Sequence, residues 1–507
     1  MRSPRGHVQS RSAETAAPVK RGRMRAAWTL ATLLPVLLGS ACAWKTYTAA
    51  PLDLAAADAA ALERRLDDAR TRSVLEANGV DLRDWPGLVW TRETLLLALL
   101  DRHPDILAAR ARVLAAQARV PAVQQPVNPD LSTRLENHSD RGGVSPWSIG
   151  AGLQFAFNTW PLRSAQGAVA SAEAEDAAVA AGEVTWRLYR LLGEALLAVQ
   201  AASESAVLAG DALALAQARV ESAEVRQRYG AASALEVQLA REALLAARRE
   251  QAAASAAASI AQAQLGQALA LPPGALEAVR LSPWPMVPPR KDFEGAGPDA
   301  ARARAVALRN RLDLAREIAL YQVAEANLRV EVARQYPQVR LGPGLVWDQG
   351  DRIWQIGLSL PLALLQRNEA GIAAAEARRS AQAQQVLARQ TAVAGEVESA
   401  RQRLAAQARP LLAARDESAA AAERVRLVQG QFDAGAADAA TLIAARAVAL
   451  QARRLEQDTM VAWRQAQWML EAALQSPLPS GAVPADPPGD GPASDAAGGL
   501  GLVHPKP

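Results

Sequence analysis

The sequence predicts a mainly α-helical fold that also carries membrane-type β-strands, built from one helix–strand–strand–helix–helix unit used twice. Three observations point to it. Five segments recur in the same order at an offset of about 203 to 208 residues, including "WSIGAGLQFAF" (Trp147–Phe157) and "WQIGLSLPLAL" (Trp354–Leu364). Those two segments alternate large apolar residues with Gly, Ser and Gln, the period of a strand with one greasy face. Between them run stretches of more than 60 residues, rich in Ala, with apolar positions at helical spacing such as Leu188, Leu192, Ala195, Val199 and Ala202.

The chain has 507 residues and opens with a basic, then apolar, then small-residue stretch that reads as an export leader over 1–42, with Met24 as an alternative start. The leader carries a charge of +6, which leaves about −2 for the rest, so the high isoelectric point implies no nucleic-acid surface. Cys42 is the only cysteine, which excludes an intramolecular disulfide. It follows "LLGSA", and two readings stand: acylation of Cys42 as a lipoprotein anchor, or cleavage after Ala43. Residues 43–90 form an N-terminal segment in which "LERRLDDAR" (Leu62–Arg70) is expected to be a solvated helix face.

In the first unit (91–270) a helix is expected over Arg92–Gln125, strands over Asp130–His138 and Pro146–Asn158, a long helix over Leu162–Arg228 and its partner over Ala234–Ala270. Residues 271–298, rich in Pro and Gly, read as a linker. The second unit (299–475) repeats the order, with helices over Asp299–Gln335, Gln366–Gln431 and Asp438–Gln475 and strands over Gln338–Trp347 and Arg352–Leu360. The composition beyond 476 predicts a disordered tail. Each long helix would rise about 100 Å at 1.5 Å per residue, and two shorter helices placed end to end would match it. No helix has an uninterrupted apolar run, so none is expected to cross a bilayer.

On the strands, Trp147, Ile149, Leu153 and Phe155 share one face, as do Leu341 on the third strand and Trp354, Ile356 and Leu358 on the fourth. These are candidate lipid-facing residues of membrane strands; a half-buried sheet in a soluble domain shows the same alternation. Four strands leave open edges that hydrocarbon does not tolerate, so membrane strands require several chains to associate. The chain has four widely spaced histidines and none of the common metal, nucleotide or nucleophile motifs, so neither catalysis, a metal site nor a cofactor is expected. His103, before Pro104, reads as a helix-start residue.

From about Pro51 to Gln475 this arrangement resembles the TolC-like outer-membrane efflux family, the exit ducts of tripartite pumps. The stretch "PLDLAAADAAALERRLDDARTRSVLEANG" (Pro51–Gly79) resembles the branch paired with heavy-metal and related resistance-nodulation-division pumps. The resemblance implies a homotrimer with a 12-stranded β-barrel in the outer membrane, continued by a long periplasmic α-helical barrel. It implies as partners a periplasmic adaptor, an inner-membrane pump and outer-membrane lipid. Tyr229, Gly230 and Ser233 match the family's first helix-hairpin tip, and Phe432, Gly435 and Asp438 its second, with the first tip about two residues shorter. Asp433 and Asp438 are candidate carboxylates of the periplasmic aperture by that resemblance; both also suit turns and helix caps. The family's Arg is missing from both tips, and "NTWPLRSAQG" keeps only Arg163 of a Gly-Lys-Arg run common in the metal branch. A periplasmic coiled-coil adaptor and a periplasmic enzyme or scaffold are the competing classes. Adaptors have one hairpin flanked by β-domains, whereas hairpins and strands are duplicated here.

Overall fold

A computed structural model of the chain describes residues 45–139, 145–157, 159–282, 299–362 and 365–476. The leader, Cys42, Asn158, most of the 271–298 segment and the tail beyond 476 lie outside these residues. The chain divides into two units at Ala59/Ala60. Residues 45–53 have no regular secondary structure, and Asp53 Oδ1 accepts from the amides of Ala55 and Ala56 at 3.0 Å to start helix α1 (Leu54–Leu62), which runs across that boundary.

In the second unit the order helix, helix, strand, strand, long helix, helix occurs twice. It runs α3 (Arg92–Arg102), α4 (Pro104–Gln124), β2 (Asp130–Asn137), β3 (Trp147–Phe157), α5 (Trp160–Arg228) and α6 (Ala234–Ala268). It returns as α7 (Ala300–Asn310), α8 (Leu312–Ala333), β5 (Val339–Asp348), β6 (Asp351–Ser359), α9 (Glu369–Asp433) and α10 (Ala439–Leu474). Helix α2 (Ala69–Ala77) and strand β1 (Val89–Trp90) precede the first set, and β4 (Arg280–Leu281) lies between the sets.

The single first helix expected in each set is two helices, broken at His103 and at Arg311. At the first break His103 caps α4, its Nδ1 accepting from the Asp105 amide at 3.2 Å, and Pro104 occupies the first turn, where a missing N–H costs nothing. At the second, buried Arg311 donates to Asp313 Oδ1 (2.9 Å), Glu396 Oε2 (2.6 Å) and the Ala473 carbonyl (3.1 Å), and Arg389 also reaches Asp313. One guanidinium thereby ties the start of α8 to α9 and to the end of α10.

The short helices share the flank of the long one in succession. Arg119 on α4 meets Glu173 near the start of α5 at 2.9 Å, and Arg241 on α6 meets Glu224 near its end at 2.6 Å. The largest core sits midway along α5, where Leu188, Tyr189 and Leu192 pack with Leu95, Leu99, Leu265 and Trp468. A second forms around α9 from Val393, Val397, Leu404, Leu411, Trp463 and Leu470 with Ala303 and Ala307. Toward the hairpin turns only Ala223, Val237 and Ala240 make a small cluster, and Ala supplies much of the contact, which lets the helices approach closely.

Three expectations change. "LERRLDDAR" is mostly a turn between α1 and α2: Leu66 is buried in the core and Asp68 caps α2 through the Thr71 amide at 2.7 Å. Part of the expected linker is ordered, since β4 pairs in parallel with β1 in the register Val89↔Arg280 and Trp90↔Leu281. Helix α5, against expectation, contains an 18-residue window of mean hydropathy 1.3, apolar enough by length and composition to cross a membrane. The helix also packs on α4, α6, α8 and α10.

Candidate functional site

Two places hold the candidate residues: the four-stranded sheet and the two hairpin turns. The sheet has the order β2-β3-β5-β6, antiparallel throughout. Directly paired residues share a face, so the register sorts every side chain. One face carries Leu131, Thr133 and Leu135 of β2, Trp147 to Phe157 at odd numbers on β3, Val339 to Trp347 at odd numbers on β5, and Trp354, Ile356 and Leu358 of β6. All eight candidate lipid-facing residues, Trp147, Ile149, Leu153, Phe155, Leu341, Trp354, Ile356 and Leu358, lie here and are solvent-exposed, Trp354 at 80% and Ile356 at 78%. A soluble half-buried sheet would cover this face. Here it is open, and Ser148, on the other face, is 4% exposed.

That second face is rich in glycine and polar residues, with Ala156, Val346 and Ile353 among them. Gly150, Gly152, Gly342, Gly344 and Gly357 alternate with Ser132, Arg134, Gln154, Arg340 and Gln355. A Cβ on Gly342 would stand 2.9 Å from the Leu153 carbonyl, so glycine there allows the backbones to close up. Eleven residues of β3 extend about 37 Å, or about 26 Å at a 45° tilt, the height of the apolar band of an outer-membrane barrel. Trp160 and Tyr336, both exposed, stand beside the sheet at its helical end, and Trp147, Trp347 and Trp354 lie toward the other end, the places where membrane interfaces collect aromatics. Among the described residues, strands β2 and β6 each have one unpaired edge.

The hairpin turns sit at the far ends of the long helices. Both are the same turn. Gly230 (φ +72°) and Gly435 (φ +74°) occupy the left-handed position after α5 and α9. Their amides donate to Gln227 O and Phe432 O, each at 3.0 Å, while Ala231 and Ala436 donate to Arg226 O and Gln431 O, each at 2.7 Å. This double bond pattern closes a helix end and favours glycine. Three residues on, Ser233 and Asp438 cap α6 and α10: Ser233 exchanges bonds with Glu236, and Asp438 Oδ1 accepts from the Thr441 amide (2.8 Å) and hydroxyl (2.6 Å). The two tips are therefore equal in length, which corrects the expectation of a shorter first one. Matching the aromatics caused the error: Tyr229 stands opposite Ala434, while Phe432 lies two positions earlier in the turn.

Tyr229 is 84% exposed at the first tip. Asp433 accepts from Gln429 Nε2 at 2.8 Å and is otherwise open to solvent. The Thr441 hydrogen bonds hold the Asp438 carboxyl below the usual aspartate range, and the Arg226 guanidinium of the first tip adds to this. Among the described residues no group of three or more His, Cys, Asp or Glu is arranged to hold a metal ion.

The model of the outer membrane efflux protein family matches residues 95–271 and again 304–475. The chain belongs to this family. Its members are channels rather than enzymes and reside in the outer membrane, so the chain is an efflux outer-membrane channel protein and not an enzyme. No curated protein matches the chain by sequence alone. Solved structures agree on the fold. The outer-membrane channel OprN is 19% identical with a TM-score of 0.62, over 86% of this chain and 98% of that one. The outer membrane protein VceC of Vibrio cholerae is 16% identical with a TM-score of 0.61, over 76% and 96%. The MtrE outer membrane channel of Neisseria gonorrhoeae, in its open state, is 17% identical with a TM-score of 0.57, over 76% and 89%.

Proposed function

We propose that the protein is the exit duct of a tripartite efflux system. Three copies pair β2 of one with β6 of the next into a 12-stranded barrel, and their helices continue it as a tunnel through the periplasm. The duct is passive: substrates are handed on by an inner-membrane resistance-nodulation-division pump through a periplasmic adaptor, and the heavy-metal branch is the one that Pro51–Gly79 favours. The observation that carries this reading is the sheet with an exposed apolar face, a glycine-rich polar face and two open edges. Such edges must be paired before a sheet can sit in hydrocarbon. Extraction from outer membranes by detergent, followed by single-channel recording in planar bilayers, tests it. Stable ion-conducting steps are expected; a protein released without detergent that conducts nothing would rule the duct out.

Cys42 is proposed to be acylated as a further anchor. Cys42→Ala is expected to abolish labelling by a fatty-acid analogue while leaving the protein in the membrane, because a barrel holds more firmly than acyl chains. An N-terminus at Trp44 would establish cleavage after Ala43 instead.

The turns with Tyr229, Gly230, Ser233, Phe432, Asp433, Gly435 and Asp438 are proposed to form the periplasmic aperture. In a trimer Asp433 and Asp438 each occur three times around one opening, and rings of carboxylates favour cations. Asp433→Asn combined with Asp438→Asn is expected to lower cation preference and divalent block in bilayer recordings. Thermal stability should change little, because Asn is as good an N-cap as Asp. Unchanged selectivity in an assembled protein would leave Asp438 with only its capping role.

A further inference from the structure

Arg352 stands on the wrong face for a charge. The register pairs it with Trp347, which pairs with Ile149, which pairs with Leu135, so it completes a row on the apolar face of the sheet. It is the single charged side chain on that face among the described strand residues, it is exposed, and its guanidinium makes no hydrogen bond or ion pair with a described residue. The other strand charges are accommodated differently. Arg134 lies on the polar face 3.4 Å from Glu136, and Asp348 and Asp351 also face that way. Arg352 adjoins the β5–β6 turn, at the end of the sheet away from the helices, with Trp347 beside it and Trp354 one pleat further in.

A guanidinium at the hydrocarbon edge is costly unless it reaches water or finds an anion at the headgroup level. Among the described residues, the strand that would pair with β6 in a neighbouring copy, β2, presents Leu131, Thr133, Leu135 and Asn137 on this face and no carboxylate. Guanidinium matches phosphate by forked hydrogen bonds, and flanking tryptophans occupy the interfacial layer where lipid headgroups sit.

We infer that Arg352, with Trp347 and Trp354, binds a phosphorylated lipid headgroup of the outer leaflet, once per copy around the barrel rim. The inference rests on the barrel reading above, since it needs this end of the sheet to lie at the outer surface.

The test uses the full chain in detergent micelles, titrated with bis-phosphorylated lipid A or with the same lipid after phosphatase treatment, and read by native mass spectrometry. Lipid A adducts are expected on the wild type, with apparent affinity reduced about fivefold by Arg352→Gln, the scale of one basic residue at a lipid surface. Removing the phosphates should weaken binding to the wild type by a similar factor. Arg352→Lys, which keeps the charge and loses the fork, should bind more weakly than wild type and better than Arg352→Gln, and Arg134→Gln, on the polar face, should change nothing. Equal binding by Arg352→Gln and wild type would overturn the inference, as would complete displacement of lipid A by millimolar inorganic phosphate, which would indicate a simple anion site. Single-channel recordings on the same samples separate the two failures: pores that conduct while lipid binding ignores Arg352 defeat only this inference, and absent pores defeat the duct.

Discussion

Leu153→Arg is expected to remove most of the folded protein from the outer membrane. Leu153 lies near the middle of β3, paired with Leu131 on the exposed apolar face. An arginine at the bilayer midplane of a barrel costs about 2–4 kcal/mol, and a trimer carries the substitution three times. The neighbouring Gln154 points to the other face, beside Gly342. Gln154→Arg should therefore leave assembly close to normal. The pair is read by quantifying folded protein in outer-membrane fractions. Equal loss from both substitutions would mean that the two faces are not in different solvents.

Trp468→Ala is expected to destabilise the helical part by about 3–5 kcal/mol, the range for deleting a buried large aromatic. The Trp468 side chain is 5% exposed. Its ring lies against Gly193 so closely that a Cβ added there would stand 2.0 Å from Cζ2, and its Nε1 donates to the Arg190 carbonyl at 3.3 Å. The Tyr189 ring lies 5.2 Å away and the Arg92 guanidinium 5.9 Å from the ring centre. This one side chain joins α10 of the second set of elements to α3 and α5 of the first. Gly193→Ala should destabilise from the other partner, because the added methyl has no room, and the double variant should lose less than the two single losses combined. Urea unfolding followed by helical circular dichroism measures all three. A midpoint unmoved by Trp468→Ala would show that the contact contributes nothing to the joint between the two sets.

The strands, long helices and hairpins were legible because each rests on a local pattern. Alternation marks Trp147–Phe157 within a residue of its ends, and Gly230 and Gly435 announce their turns. What escaped were features that depend on distant partners. Pairing of Val89 with Arg280 joins residues 191 apart, and nothing in a Pro/Gly-rich stretch signals a two-residue parallel strand. The breaks at His103 and Arg311 hide inside continuous helical periodicity; Pro104 is a visible clue to the first, whereas the second depends on Arg311 reaching Glu396 and the Ala473 carbonyl. At the tips the aromatics Tyr229 and Phe432 attract an alignment, but the backbone follows the glycines. Of the candidate site, the sorting of the sheet's residues into an apolar and a glycine-rich face was readable from parity alone. Arg352 was equally readable by parity, whereas its pairing with Trp347 depends on a register that the sequence does not show.

The central claim is that the sheet of one chain is a third of a barrel. Native mass spectrometry of the purified full chain, released from detergent micelles, tests it most directly. Three copies in one assembly, with no monomer surviving at any detergent concentration that keeps the protein folded, is the expected result. A folded, stable monomer would contradict it, because such a chain would hold the open edges of β2 and β6 in an apolar environment without partners.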